Sequence, residues 1–218
     1  GPFQATFHVP AFLEGGRTTV DGVHLLKGVP VHKTSYANDS LFGFQTSHLS
    51  SWLEEKSGGH IKKESVKRLT LAQLDLAISS PSGRQSLEKW LCDLYANEHV
   101  VVDAEHPRNL EILGLVVRSL LRKKRFLFRS AASFINSLAD LGPQPFSTRE
   151  LINLRRLDAA GIPLPGMVIV GSFVPLADSQ LNKLFECSEC VGVELQVAEV
   201  LKIFNEGLEN LNQKKVDV

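Results

Sequence analysis

The residues best suited to chemistry in this chain are two arginines that follow apolar runs. The first run, "ATFHVPAF", opens onto Glu14, Gly15, Gly16 and Arg17, and the second, "RFLFR", ends at Arg129 before Ser130 and Ala131. A buried strand that opens abruptly onto Gly15-Gly16-Arg17 can present a guanidinium and free backbone amides to an anion. A guanidinium is always charged and meets carboxylate or phosphate with two parallel hydrogen bonds. Ser130 and Ala131 begin an amphipathic stretch, where the unpaired amides of a helix N-terminus also favour negative charge. Similar punctuation follows two other apolar runs, at Gly171-Ser172 in "MVIVGSFVP" and at Asp103 in "HVVVDAEH". Taken singly, each is equally an ordinary cap, an ion-paired surface residue or a turn. Their repetition makes an anion-binding crevice an equal reading.

Other chemistries find less support. Cys187 and Cys190 have the spacing of a zinc half-site, but no second pair accompanies them, so they read as core or surface thiols. Ser172 lacks the Gly-x-Ser-x-Gly frame of a strand-turn nucleophile. Neither GxxxxGK[ST] nor GxGxxG occurs, and the basic run Arg122–Arg125 sits where cations offset a helix dipole.

The elements that must position these residues alternate. Short strands around Asp21-Gly22 and Gly28 predict an N-terminal hairpin excursion, followed by a short helix in "TSHLSSWLEEKSGG" with Thr46 or Ser47 as its N-cap. Strands are then expected at "SVKRLT", "HVVVDA", "RFLFR", "MVIVGS" and "CVGVELQV". Between them lie helices in "SGRQSLEKWLCDLYAN", "NLEILGLVVRSLLRKK", "SAASFINSLADLG" and "LADSQLNKLFEC", with a last one from Val197. Buried strands separated by amphipathic helices predict an α/β fold, a mostly parallel sheet with helices on both faces. A proline-rich excursion, Gly142 to Gly166, carries a capped helical segment starting at Ser147 or Thr148.

At 218 residues with 43% apolar composition, the chain reads as a single domain over 1–218. Lys and Arg balance Asp and Glu at 24 each, which predicts no non-specific grip on nucleic acid or on an anionic membrane. Three unevenly placed cysteines and the lack of a long apolar run point to a reducing, cytoplasmic setting.

Beyond these patterns, "VPAFLEGGRTTVDGVHLL", "GVPVHKTSYANDSLFGFQTSHLSSWLEEKSGG", "VVVDAEHPRNLEIL", "KRFLFRSAASFI" and "VIVGSFVP" resemble, in order and spacing, the N-terminal domain of the four-carbon acid sugar kinases. The resemblance implies most of the substrate domain of a longer two-domain protein, in which ATP and Mg serve phosphorylation of a tetronate such as erythronate or threonate. It aligns Gly15, Gly16 and Arg17, then Arg129 and Ser130, then Gly171 and Ser172, with the family's sugar-acid-binding blocks. The family's opening Asp-Asp-x-Thr-Gly segment would precede Gly1 and its nucleotide domain would follow Val218. Leu176-Ala177-Asp178 stand where Lys-Thr-Thr is common. The resemblance therefore implies a chain that binds a small sugar-acid anion without phosphorylating it alone, with its general base elsewhere and its open sheet edge favouring self-association. A shortened, non-catalytic descendant that binds a small anion or a protein is the rival expectation.

Overall fold

The computed structural model describes residues 2–38, 43–142, 146–147, 149–172 and 174–216. Two compact units divide the chain, residues 1–145 and 146–218.

The first unit is built on a four-stranded parallel sheet of order β5-β6-β1-β7, with β1 at Ala5–Val9, β5 at Lys67–Leu69, β6 at Glu98–Val102 and β7 at Phe126–Ser130. All three pairings are parallel, and His8 lies opposite Val101 on one side and Arg129 on the other. Because side chains alternate along a strand, Ala5, Phe7 and Val9 point to one face and Thr6 and His8 to the other. The first face is the core, with Phe7, Val9, Val100 and Val102 fully buried together. Four helices supply the other half of that core: α2 (Leu71–Ser79), α3 (Pro81–Cys92), α4 (Pro107–Leu120) and α5 (Ala132–Ala139). On α4, Leu110, Leu113, Val117 and Leu120 form one buried stripe.

The opposite face is covered differently. Helix α1 (Leu49–Lys56) lays Leu49 and Leu53 on Val101, which gives the sheet helices on both faces as expected. Beside it lies the antiparallel excursion of β2 (Arg17–Val20), β3 (Val23–Leu26) and β4 (Val29–Pro30). Asp21 and Gly22 turn β2 into β3 with φ of 50° and 74°, both in the left-handed region that a tight hairpin turn needs. Thr19 and Ala104 exchange backbone hydrogen bonds of 2.9 Å each way, and the Gly22 amide donates to the buried Asp103 carboxylate at 2.8 Å. His24 N donates to Ser47 O and Leu49 N to Gly22 O, both at 2.8 Å. The hairpin is therefore fastened to the end of β6 and to the start of α1.

The start of α1 differs from the expected Thr46 or Ser47 cap. His48 occupies the N-cap position, because the Ser47 hydroxyl is engaged by His32, accepting from its amide at 2.9 Å and lying 2.7 Å from its Nδ1. Helix α2 lies in a stretch the periodicity passes over. Thr70 and Gln73 form a reciprocal capping box that starts it.

In the second unit, helices α6 (Pro175–Phe185) and α7 (Val197–Val216) form where amphipathicity places them. Ser147 and Glu150 cap one another before a short 3-10 turn at Glu150–Leu154, while Thr148 lies outside the described residues. The expected strands "MVIVGS" and "CVGVELQV" are not strands. Met167, Val168 and Ile169 are exposed and unpaired, as are Val191 and Val193. An apolar run becomes a strand only when an adjacent edge takes up its amides and carbonyls, and the described residues of this unit hold no strand to supply one.

Candidate functional site

β1 ends at Val9, and Pro10, which lacks an amide hydrogen, stops the ladder. The chain then makes a short 3-10 turn over Leu13–Gly15 and returns so that Phe12 and Arg17 exchange backbone hydrogen bonds of 2.9 Å. Gly16 closes this turn at φ 69°, a conformation that suits glycine. The amides of Gly15, Gly16 and Arg17 donate to Phe12 O, Leu13 O and Phe12 O. The turn consumes the backbone donors that Gly-Gly-Arg seemed to offer, and what it delivers is the Arg17 side chain.

That side chain enters a cavity of about 210 Å³ on the polar face of the sheet, lined among others by His8, Arg17, His24, Ser47, Trp52 and Arg129. The two arginines predicted from separate sequence blocks thus converge on one site. Neither lies on a carboxylate partner among the described residues; each rests on an aromatic ring. The Arg17 guanidinium is 5.1 Å from the Phe12 ring centre and that of Arg129 is 4.6 Å from Trp52. Stacking of this kind holds a guanidinium in place while leaving its edge N–H donors free.

Two histidines, absent from the sequence-based site, complete the wall. His24 on β3 is 7% exposed, and its Nδ1 lies 3.0 Å from the Thr19 hydroxyl. Burial, with the Arg17 charge adding, pushes its pKa down to about 4. His8 on β1 is equally buried and is pushed down to about 4 by burial, then by His99 and Arg129. Its Nε2 is 3.1 Å from His99 Nδ1. Both imidazoles are therefore neutral at pH 7, so the charge at this cavity comes from the two guanidiniums. The available signal for His8 was alternation: Thr6 and His8 are polar residues inside a five-residue strand that is buried throughout.

The remaining predicted residues are placed elsewhere. Ser130 ends β7, and the Ala131 amide behind it already donates to Val9 O at 3.0 Å. Gly171 and Ser172 lie in the second unit, exposed and outside any strand; Phe173 is outside the described residues. Asp103, at the end of β6, holds the hairpin through Gly22 with Arg68 3.6 Å away, and burial raises its pKa. Cys187 and Cys190 are free and exposed. Among the described residues no three His, Cys, Asp or Glu side chains cluster as a metal site, and no helix is long and apolar enough to cross a membrane.

No curated protein matches the chain. Among the solved structures that overlap it in part are two of the DUF1537 family. A Haemophilus influenzae protein of the DUF1537 family is 18% identical over 62% of this chain and 30% of its own, with a TM-score of 0.47. A Bordetella bronchiseptica DUF1537 protein, a domain-swapped dimer with bound citrate, is 22% identical over 62% of this chain and 29% of its own, with a TM-score of 0.46. The chain thus spans under a third of the length of either. The sugar-binding N-terminal domain family matches residues 2–138, which include β1 to β7 and every described residue lining the cavity. The chain belongs to that family, the one its sequence resemblance to the four-carbon acid sugar kinases indicated.

Proposed function

We propose that the first unit is the sugar-acid-binding part of an ATP-dependent four-carbon acid sugar (tetronate) kinase. One observation carries this reading: Arg17 and Arg129, from opposite ends of the unit's sequence, meet in a small cavity whose other described polar groups are neutral imidazoles and hydroxyls. Two positive charges with no acid among the described lining residues favour a small carboxylate, and 210 Å³ suits a ligand smaller than a drug molecule. This donor set fits an anion and does not fit Mg²⁺, so the cavity residues are assigned to the sugar acid and none to magnesium or ATP. Gly15 and Gly16 shape the turn that carries Arg17, and Ser130 follows Arg129 on β7. Gly171 and Ser172 enter this reading only through the sequence resemblance, since the family match ends at residue 138.

Titration calorimetry with threonate and erythronate tests the reading. Arg17→Ala and Arg129→Ala are each expected to weaken binding by roughly ten- to a hundredfold, the loss of one charge-assisted contact. Unchanged affinity in both variants would remove the cavity as the site.

A further inference from the structure

We infer that His8 reads the hydroxyl next to the ligand carboxylate, so that this cavity selects 2-hydroxy acids over their 2-deoxy counterparts. The inference rests on the anion site proposed above and names the part of the ligand that the arginines cannot distinguish.

His8 Nδ1 is the one buried side-chain polar atom, among the described residues, that has no hydrogen-bond partner. The ring is 7% exposed and lines the cavity, and its other nitrogen is occupied by His99. His24 differs, because its Nδ1 is satisfied by Thr19. A buried ring nitrogen without a partner has given up its water and gained no hydrogen bond in return. A ligand oxygen placed there recovers that loss, whereas a ligand without one leaves it in place.

The chemistry of a neutral imidazole points to a hydroxyl. If His8 donates from Nε2 to His99, its Nδ1 is an acceptor; if His99 donates, Nδ1–H is a donor. A hydroxyl satisfies either arrangement, but a carboxylate oxygen satisfies only the second. The carboxylate already has the two guanidiniums, which are rich in donors.

Position identifies which hydroxyl. His8 and Arg129 are paired in register on adjacent parallel strands, so their side chains leave the same face of the sheet about 5 Å apart. Groups held by neighbours at that spacing are close in the ligand as well, and the oxygen nearest a carboxylate in a sugar acid is its 2-hydroxyl. His99, half-buried behind His8, acts as a positioning residue through its hydrogen bond to Nε2.

The test compares threonate with 3,4-dihydroxybutanoate by calorimetry on the full chain. Wild type is expected to bind the deoxy acid about ten- to a hundredfold more weakly. His8→Leu should bring the two acids to nearly equal affinity, mainly by losing threonate. His8→Asn, whose amide can reach the place of Nδ1, should keep most of the preference. Ring-nitrogen NMR of unaltered protein gives a readout independent of any variant's folding: the His8 Nδ1 resonance moves with threonate and stays with the deoxy acid. Equal binding of both acids by wild type, with affinity still lost on Arg17→Ala, overturns the role of His8 and leaves the sugar-acid site standing. Binding of neither acid removes both.

Discussion

Arg118 and Arg129 line cavities on opposite faces of the same sheet, and their surroundings give them opposite uses. On the apolar face a cavity of about 310 Å³ lies beside α4 and α5, lined among others by Glu14, Glu111, Arg118 and Asp140. There Arg118 is neutralised: Asp140 is 3.3 Å from its Nη2, and its Nη1 donates to Ser137 O. Glu14 accepts from the Ser133 hydroxyl, which holds its carboxyl below the usual range. Acids outnumber bases in that lining, so an anion is repelled. On the polar face Arg17 and Arg129 rest on Phe12 and Trp52, and among the described residues no acid lines the cavity. An arginine's presence in a cavity therefore says little; what occupies its donors decides whether it can bind.

The polar face should be the part of the unit most sensitive to acid. In the unfolded chain His8 and His24 titrate near 6.5, whereas in the fold each is held neutral down to about 4. Between those values the unfolded chain binds more protons, so stability is full above pH 6.5 and falls as pH drops toward 4. A shift of this size corresponds to about 3 kcal/mol for each histidine. Asp103 acts in the opposite sense, since burial raises its pKa and protonation relieves part of that strain. Urea unfolding at a series of pH values should show the midpoint falling steeply between pH 6.5 and 4, with a shallower fall in His8→Leu. A flat midpoint over that range would mean the two rings are not desolvated as the structure shows.

The apolar face should respond to volume instead. Phe7 is fully buried between Phe126 and Phe128, with ring centres 5.2 and 5.3 Å away. Phe7→Ala removes a large core side chain and should cost about 3–5 kcal/mol in urea unfolding. It should leave threonate affinity within about twofold wherever the protein stays folded, because Phe7 points away from the cavity. A large loss of affinity from Phe7→Ala would break the separation of the two faces.

Much of this was legible in the sequence, for identifiable reasons. The Asp21-Gly22 turn, the helix α4 and the parallel sheet follow from local pattern, and pattern is what sequence displays directly. Arg17 and Arg129 were found because each closes an apolar run, and the sheet and hairpin bring them to one cavity. His8 was hidden by a uniform reading of "ATFHVPAF" as a buried run. Burial there is uniform, but the two faces bury different chemistry. Gly15 and Gly16 looked like open donors because a tight turn's internal hydrogen bonds cannot be read from residue types. "MVIVGS" and "CVGVELQV" have strand composition, and composition does not supply an edge to pair with.

The finest test of the polar face separates burial from charge. Burial is the largest cause of the depressed His8 pKa, with His99 second and Arg129 third. Arg129→Gln removes the guanidinium charge while leaving β7 and the depth of His8 in place. Its His8 pKa should therefore rise, but only part of the way from about 4 toward 6.5. The same variant should leave His24 unmoved, because the charge acting on that ring is Arg17. Proton NMR titration of the imidazole resonances reads both values in one sample. A His8 pKa restored fully to 6.5 would mean the guanidinium, and not the sheet, keeps the imidazole neutral. No change at all would place Arg129 too far from His8 for the two to hold neighbouring oxygens of one ligand.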